Sequence, residues 1–241
     1  MVLDGIDLLV FAAHPDDAEL SCAGAILSIT KEGGKAVIID LTKGEMGTRG
    51  TIVTRKAEAD AAGKILGLSD RWNLGLEDGW LANTKENKLP MIAAIRHFRP
   101  KVVMANARED RHPDHGNAAI LAEEAWFLAG LAKIETTHNG TAQKAYRPER
   151  ILHYIQDRYL EPDTVLDISP FIDEKIESIL AYKSQFYDPN SKEPETYISG
   201  KGFLDFVLAR ARSMGQLIGV EYGEGFTSTK KLGVRSISHL V

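Results

Sequence analysis

Phe11-Ala12-Ala13-His14-Pro15-Asp16-Asp17-Ala18-Glu19-Leu20 is the stretch around which the chain reads as organised. An apolar run from Leu8 to Ala13 stops at His14, and two adjacent carboxylates follow after one proline. A run with no polar residue inside it suits a strand buried on both faces of a parallel sheet. Buried charge has to be paired or bound to a metal, so a histidine and two aspartates at the end of such a strand point to chemistry. A structural reading competes with this one: Asp16 or Asp17 as the N-cap of the helix that follows. Choosing chemistry requires a second cluster, and the chain supplies one near residue 112.

Outward from this stretch, residues 7–13 read as the first strand and 19–32 as a helix that stops at Gly33-Gly34. Residues 35–41 form a second buried strand, 42–54 a glycine-rich polar loop and 55–66 a helix. A short strand over 71–74 precedes the polar Glu77-Asp78-Gly79, then a helix over 90–98 is stopped by Pro100. A strand over 101–106, a charged loop over 107–115 and an alanine-rich helix over 116–131 follow. This alternation predicts right-handed βαβ units: an α/β fold, a Rossmann-like three-layer sandwich with a mostly parallel sheet. The polar loops beginning at His14, Thr42, Leu76 and Ala107 each follow the carboxyl end of a predicted strand. In an open parallel sheet those ends share one edge, where ligands bind. The active site is expected there.

Beyond residue 131 the pattern weakens. Residues 132–150 read as a long surface loop beside the site, with strands over 151–156 and 164–168 and helices over 170–182 and 202–217. Residues 188–200 read as a loop without chemistry of its own. There is no repeat or composition break, so a single domain over 1–241 is expected.

Composition narrows the function classes. Of 241 residues, 44% are hydrophobic and 26% charged, ordinary for a globular protein. A net charge of -5 argues against a nucleic-acid partner. Cys22 is the only cysteine, which excludes an intrachain disulfide and suits a reducing compartment; its small apolar neighbours predict a core residue. No run approaches the roughly 18 apolar residues of a membrane span. The N-terminal stretch lacks a basic n-region and is interrupted by Asp4 and Asp7, unlike a signal peptide. A cytoplasmic location without a membrane partner is the expectation.

The second cluster is Arg108-Glu109-Asp110-Arg111-His112-Pro113-Asp114-His115-Gly116. His112 and His115 can be read as caps of the next helix, with Asp114 a suitable N-cap. Two His-Pro-Asp tripeptides, each after a buried strand, favour a metal site instead. Two histidines and one carboxylate with an open position form a recurrent catalytic zinc site. Nickel, copper and iron(II) accept the same donors, so zinc is a preference.

The pair His14-Pro15-Asp16-Asp17-Ala18-Glu19 and His112-Pro113-Asp114-His115 resembles the paired motif of the LmbE-like (PIG-L, GlcNAc-PI de-N-acetylase) zinc deacetylases. Residues 110–119 (DRHPDHGNAA), 182–186 (YKSQF) and 219–226 (GVEYGEGF) are similar to the branch that deacetylates N-acetylglucosaminyl-malate in bacillithiol biosynthesis. The resemblance implies a hydrolase with one Zn2+ per subunit held by His14, Asp17 and His115, acting on a small sugar substrate through a zinc-activated water. It implies Asp16 as general base and His112 as the imidazole that stabilises the oxyanion or protonates the departing amine, held charged by Asp114. Arg55 matches a substrate-binding arginine. Arg49 fits the broader family's Gly-Thr-Arg-Gly loop, where the closer branch varies. A homo-oligomer is also implied, and the aromatic and glycine content of 182–186 and 219–226 would suit a subunit interface.

The residue types agree with these roles. Adjacent residues in an extended chain point opposite ways, so Asp16 and Asp17 divide naturally into one base and one ligand. A malate aglycone carries two carboxylates, and Arg55, Arg49, Arg108, Arg111 and Lys43 all lie in the loops of the predicted edge. Arginine forks suit bidentate carboxylate binding.

Overall fold

The computed structural model describes residues 5–234, 236 and 237; the domain expected over 1–241 also takes in 1–4, 235 and 238–241, which lie outside the described residues. In chain order the elements are β1 (Leu8–Ala12), α1 (Asp17–Lys31), β2 (Ala36–Thr42), α2 (Ile52–Ile65), β3 (Asp70–Leu76), α3 (Lys85–Phe98), β4 (Val102–Ala105) and α4 (Pro113–Ala129). There follow a small hairpin, β5 (Thr137–His138) and β6 (Thr141–Ala142), then β7 (Arg150–Tyr154), β8 (Thr164–Asp167), a 3-10 turn (Ser169–Phe171), α5 (Ile172–Leu180), α6 (Phe203–Gln216) and β9 (Gly223–Thr227).

The main sheet has the order β3-β2-β1-β4-β7-β9-β8. Strands β3, β2, β1, β4 and β7 pair in parallel, while β9 runs antiparallel to both β7 and β8. Along β1 the side chains alternate between two buried faces. Leu9 and Phe11 pack with Met91, Ile95 and Leu121 of α3 and α4, whereas Leu8 and Val10 pack with Cys22, Ile26 and Leu27 of α1. This double burial explains the unbroken apolar run and gives the three layers. Cys22 is fully buried within the second face, as expected of a core residue.

Strand order reverses at β1. The chain steps outward from β1 to β2 to β3, then returns to place β4 on the other side of β1. The carboxyl ends of β1 and β4 flank the switch point, the crevice where such sheets bind ligands. His14 follows one end and residues 106–115 follow the other.

Several boundaries differ from the sequence reading. Helix α2 begins at Ile52 because the Thr51 hydroxyl accepts the Thr54 N–H at 3.1 Å, and α3 begins at Lys85 under a Thr84 cap, carrying Pro90 inside it. Helix α4 begins at Pro113, where the proline ring already has a helical φ and lacks only an N–H that would go unpaired. Strand β9 was hidden by its glycines. A Cβ on Gly225 would lie 2.8 Å from Met214 Sδ, so α6 packs too closely on this strand for a side chain there.

The segment 132–150 is corrected in place and character. It carries the β5–β6 hairpin and lies at the amino edge of the sheet, opposite the site. Arg96 holds it by donating to the carbonyls of Leu131 and Ile134 at 2.8 and 2.6 Å, and Glu149 N–H donates to the Lys101 carbonyl, just before β4. No helix among the described residues is long and apolar enough to cross a membrane.

Candidate active site

The turn after β1 brings its acids together through unusual backbone. Asp16 has φ 116°, ψ -24°, a region that strains any residue but glycine by about 1–3 kcal/mol. It occupies the N-cap position of α1, but its side chain makes no cap hydrogen bond. Instead its carboxylate accepts from Arg55 Nη2 at 2.9 Å, and the same guanidinium donates to the Pro15 carbonyl. The capping reading therefore fails for Asp16. Asp17 is the first helical residue, and its Oδ2 accepts the His14 N–H at 2.9 Å.

Asp17 is the centre of a buried network. It accepts from Asn106 Nδ2 at 3.0 Å and Gln156 Nε2 at 3.1 Å, lies 3.0 Å from His115 Nε2, and lies 3.5 Å from His14 Nδ1. The far nitrogen of each ring also meets a carboxylate. His115 Nδ1 is 2.5 Å from Asp110 Oδ2, and His14 Nε2 is 2.9 Å from Asp78 Oδ1 and 3.4 Å from Asp114 Oδ2. The His14 approaches are ion-pair distances that miss the hydrogen-bond direction, leaving a buried nitrogen without a hydrogen-bond partner. The rings of His14, His112 and His115 stand 4.7 to 5.5 Å apart, centroid to centroid.

These contacts set the charges. Burial works against protonated imidazoles, but Asp114, Asp17 and Asp78 hold His14 well above its ordinary value. For His115, Asp17 and Asp110 outweigh burial and bring the ring up to about 9. Burial would raise Asp17, yet His115 and His14 hold it well below the usual carboxylate range. Burial pushes Asp16 up to about 7, with Arg55 opposing. The two adjacent aspartates thus have opposite properties.

Donor atoms from His14, His112 and His115 lie within 4.8 Å of one another, as do donors from His14, Asp78 and Asp114. Imidazoles and carboxylates crowded this closely fit a divalent transition metal. A carboxylate behind the far nitrogen of a ring is the usual support of a metal-binding histidine.

His112 and Asp114 depart from the expected arrangement. Asp114 does not hold His112 charged. Its carboxylate accepts from Gly79 N–H at 2.7 Å and Leu81 N–H at 3.2 Å and faces His14. What reaches His112 is the Asp114 backbone N–H, donated to Nδ1 at 3.2 Å. A ring that accepts at Nδ1 is neutral with its proton on Nε2. Burial, followed by the nearby His14 and His115, lowers its pKa in the same sense. His112 therefore caps α4 as the structural reading had it, while its ring stays beside His14.

A cavity of about 270 Å³ opens over these residues, with walls from all of the loops that follow β1, β2, β3 and β4. Of the expected basic residues, Arg49, Arg55 and Arg111 line it. Arg49 is tied to residues 188–200, donating to Ser191 Oγ at 2.7 Å and pairing with Glu193 at 3.6 Å. Arg108 pairs with Glu123 on the exposed side, and neither it nor Lys43 lines the cavity.

Sequence reasoning missed Asp78, Asp110, Asn106 and Gln156 as members of the site. Asp110 and Asp78 sat in stretches already marked as polar and carboxyl-terminal to strands, which was the available signal. Asn106 and Gln156 carried none. The segment 188–200 also contributes, with Thr196, Tyr197 and Ile198 on the cavity wall. Tyr197 donates to Asp157 Oδ1 at 2.8 Å and lies beneath the Arg111 guanidinium.

The stretches 182–186 and 219–226 make contacts within the chain. Tyr182 donates to Glu19, Ser184 to Glu58 and Gln185 to the Arg49 carbonyl. Tyr182, Phe186, Tyr222 and Phe226 are buried within the chain.

Comparison with known proteins finds relatives of the chain. The sequence profile of the GlcNAc-PI de-N-acetylase (PIG-L) family matches residues 9–126. The chain is 26% identical to the diacetylchitobiose deacetylase of Thermococcus kodakarensis over 228 residues, covering 90% of this chain and 81% of that protein. Among solved structures, a conserved protein of Thermus thermophilus is 39% identical with a TM-score of 0.86, covering 96% of this chain and 98% of that one. The N,N'-diacetylchitobiose deacetylase of Pyrococcus horikoshii has the same fold, with a TM-score of 0.80 at 23% identity over 99% of this chain and 90% of that one.

Proposed function

The chain belongs to the PIG-L family of de-N-acetylases, and from that premise we propose that it removes the N-acetyl group from an N-acetylglucosamine conjugate, with N-acetylglucosaminyl-malate the favoured substrate. The single observation that carries this reading is the placement of His14 Nδ1 and His115 Nε2 at 3.5 and 3.0 Å from the same Asp17 carboxylate. His14, Asp17 and His115 are the proposed ligands of one zinc ion per subunit, with Asp78 and Asp110 behind the two rings. When bound, such an ion polarises the acyl oxygen and makes water acidic near neutral pH.

The chain's own residues divide the proton work. Asp16, raised to about 7, is suited to take a proton from the attacking water and to pass it to the departing amine nitrogen. That transfer balances the reaction: hydroxide goes to the acyl carbon, the proton to the amine, and the C–N bond breaks. His112 keeps Nδ1 on the Asp114 N–H, so its role is to donate from Nε2 to the oxyanion. Arg55 positions Asp16 through the 2.9 Å contact. The guanidinium side chains of Arg49 and Arg55 line the cavity wall, which supports recognition of anionic substrate oxygens.

Acetate release and product mass, measured with zinc-loaded protein on a panel of N-acetylglucosaminides, test the reading. Turnover of the malate glycoside above the other sugars is expected. Turnover of a different N-acyl amino sugar or thiol conjugate alone would remove the malate assignment, and turnover only of phosphate esters would remove the deacetylase. A homo-oligomer in the cytoplasm remains part of the reading, and sedimentation of the purified protein checks the first half.

A further inference from the structure

Helix α1 is two helices in disguise. Cys22, at φ -140° and ψ 22°, breaks it one turn after its start. A break leaves N–H groups without partners on one side and carbonyls without partners on the other. Both sets are taken by a buried ion pair from distant parts of the chain. Glu224 of β9 accepts the Gly24 and Ala25 N–H groups, at 2.9 and 2.8 Å, one on each carboxylate oxygen. Lys175 of α5 donates to the Glu19 and Leu20 carbonyls at 3.1 Å each and to Glu224 Oε1 at 2.8 Å. Arg210 of α6 adds a second bond to the Leu20 carbonyl.

The signs match the dipoles of the two segments. The carboxylate sits at the amino end of the second segment and the ammonium at the carboxyl end of the first. What is held in this way is the turn that carries Asp16, Asp17 and Glu19, with Leu20 and Ser21 on the wall of the active-site cavity. Without these caps a one-turn segment has too few internal bonds to keep its shape. Lys175 and Glu224 are only 2% and 4% exposed at their side chains.

We propose that Lys175 and Glu224 are positioning residues for the reaction, acting through the capped first turn of α1 on the placement of Asp16 and Asp17. The assay of turnover rests on the metal-dependent reading above, whereas the caps themselves do not.

The test compares Glu224→Gln, Lys175→Met and the double variant by hydrogen–deuterium exchange, Zn2+ competition against a chelator, and steady-state kinetics. The expected result is faster exchange confined to residues 14–22. A fall of about 10–100-fold in zinc affinity or kcat, the range for supports behind a metal site, accompanies it with little change in KM. The double variant leaves no buried charge unpaired, so its persistence of the defect assigns the effect to lost caps rather than an orphaned ion. If Glu224→Gln does not fold, Lys175→Arg, which keeps the charge but not the single converging ammonium, is read in the same way. Folded variants with unchanged exchange over 14–22 and unchanged zinc affinity would overturn the proposal, as would exchange that rises uniformly along the chain. If the unaltered protein neither binds zinc nor turns over, the metal reading fails, and the exchange pattern alone decides the role of the caps.

Discussion

Asp78 Oδ1 lies 2.9 Å from His14 Nε2, while the other ring nitrogen, Nδ1, lies 3.5 Å from Asp17. The ring is thus held between two carboxylates that come from different loops of one sheet edge. A carboxylate behind a metal-binding ring fixes its orientation and raises its basicity, and losing it typically lowers metal affinity or activity by about 10–100-fold. Asp78→Asn keeps the shape and removes the charge. Its zinc affinity should fall within that range in a chelator competition, and an unchanged affinity would detach Asp78 from the site.

Asp16→Ala separates the proposed base from the proposed ligands. Asp16 touches Arg55 and the strained turn, not the nitrogens of His14 or His115. Zinc content should therefore stay near one per chain while kcat falls by about 10²–10⁴-fold, the usual contribution of a positioned acid or base. Metal analysis and acetate release on one sample check both halves. Full activity would contradict the assigned base.

Arg55→Met moves a pH limb. Burial raises Asp16 and Arg55 opposes it, so losing the guanidinium leaves a carboxylate that protonates more readily. A base must be deprotonated, and the acid limb of the kcat/KM profile should shift to higher pH than in the unaltered enzyme. Bound dication lowers the starting point in both proteins without reversing the order. A limb that stays in place would mean that Arg55 does not act on Asp16.

Metal uptake should release protons. His14 is held well above its ordinary value and His115 at about 9, so zinc-free protein near neutral pH carries a proton on each ring. A ligand nitrogen has to lose its proton. Calorimetry in buffers of different ionisation enthalpy should show this release, diminishing above about pH 9. The sign for stability follows from the raised values: the contribution is complete below about 6.5, the unfolded value of histidine, and is lost as pH rises through about 9. The Tm of chelator-treated protein should decline over that interval.

Gly24→Ala tests the packing of the broken helix. A Cβ there would lie 2.3 Å from Ile168 Cγ2, so the added methyl has no room. Overpacking of this kind costs about 1–3 kcal/mol, and denaturant unfolding should report a loss in that range. A neutral result would show that Ile168 can move away.

Much of the site was legible because its chemistry is local. His14, Asp16 and Asp17 are near neighbours, as are His112, Asp114 and His115, and each group directly follows a buried strand. Asn106 and Gln156 were not legible, because a single amide carries no signal until the strand ends that bear them are placed side by side. Strand β9 escaped because Gly223 and Gly225 answer to the helix packed on them, at 2.8 Å from a notional Cβ, rather than to strand propensity. The hairpin segment 132–150 was misplaced because nothing in its polar composition says which edge of a sheet it covers.

Apolar runs alternating with helical periodicity determined, from the sequence alone, a parallel sheet with its polar loops at the carboxyl edge, since backbone pairing and double burial leave few other arrangements. Only the tertiary structure decided how the charges are shared: that Asp114 faces His14 and not His112, that Asp16 takes Arg55, and that Lys175 and Glu224 close the gap in α1. The reason is physical. Burial fixes which residues must be inside by their own chemistry, but the partner of a buried charge is set by distances of a few ångströms between segments that the sequence keeps far apart.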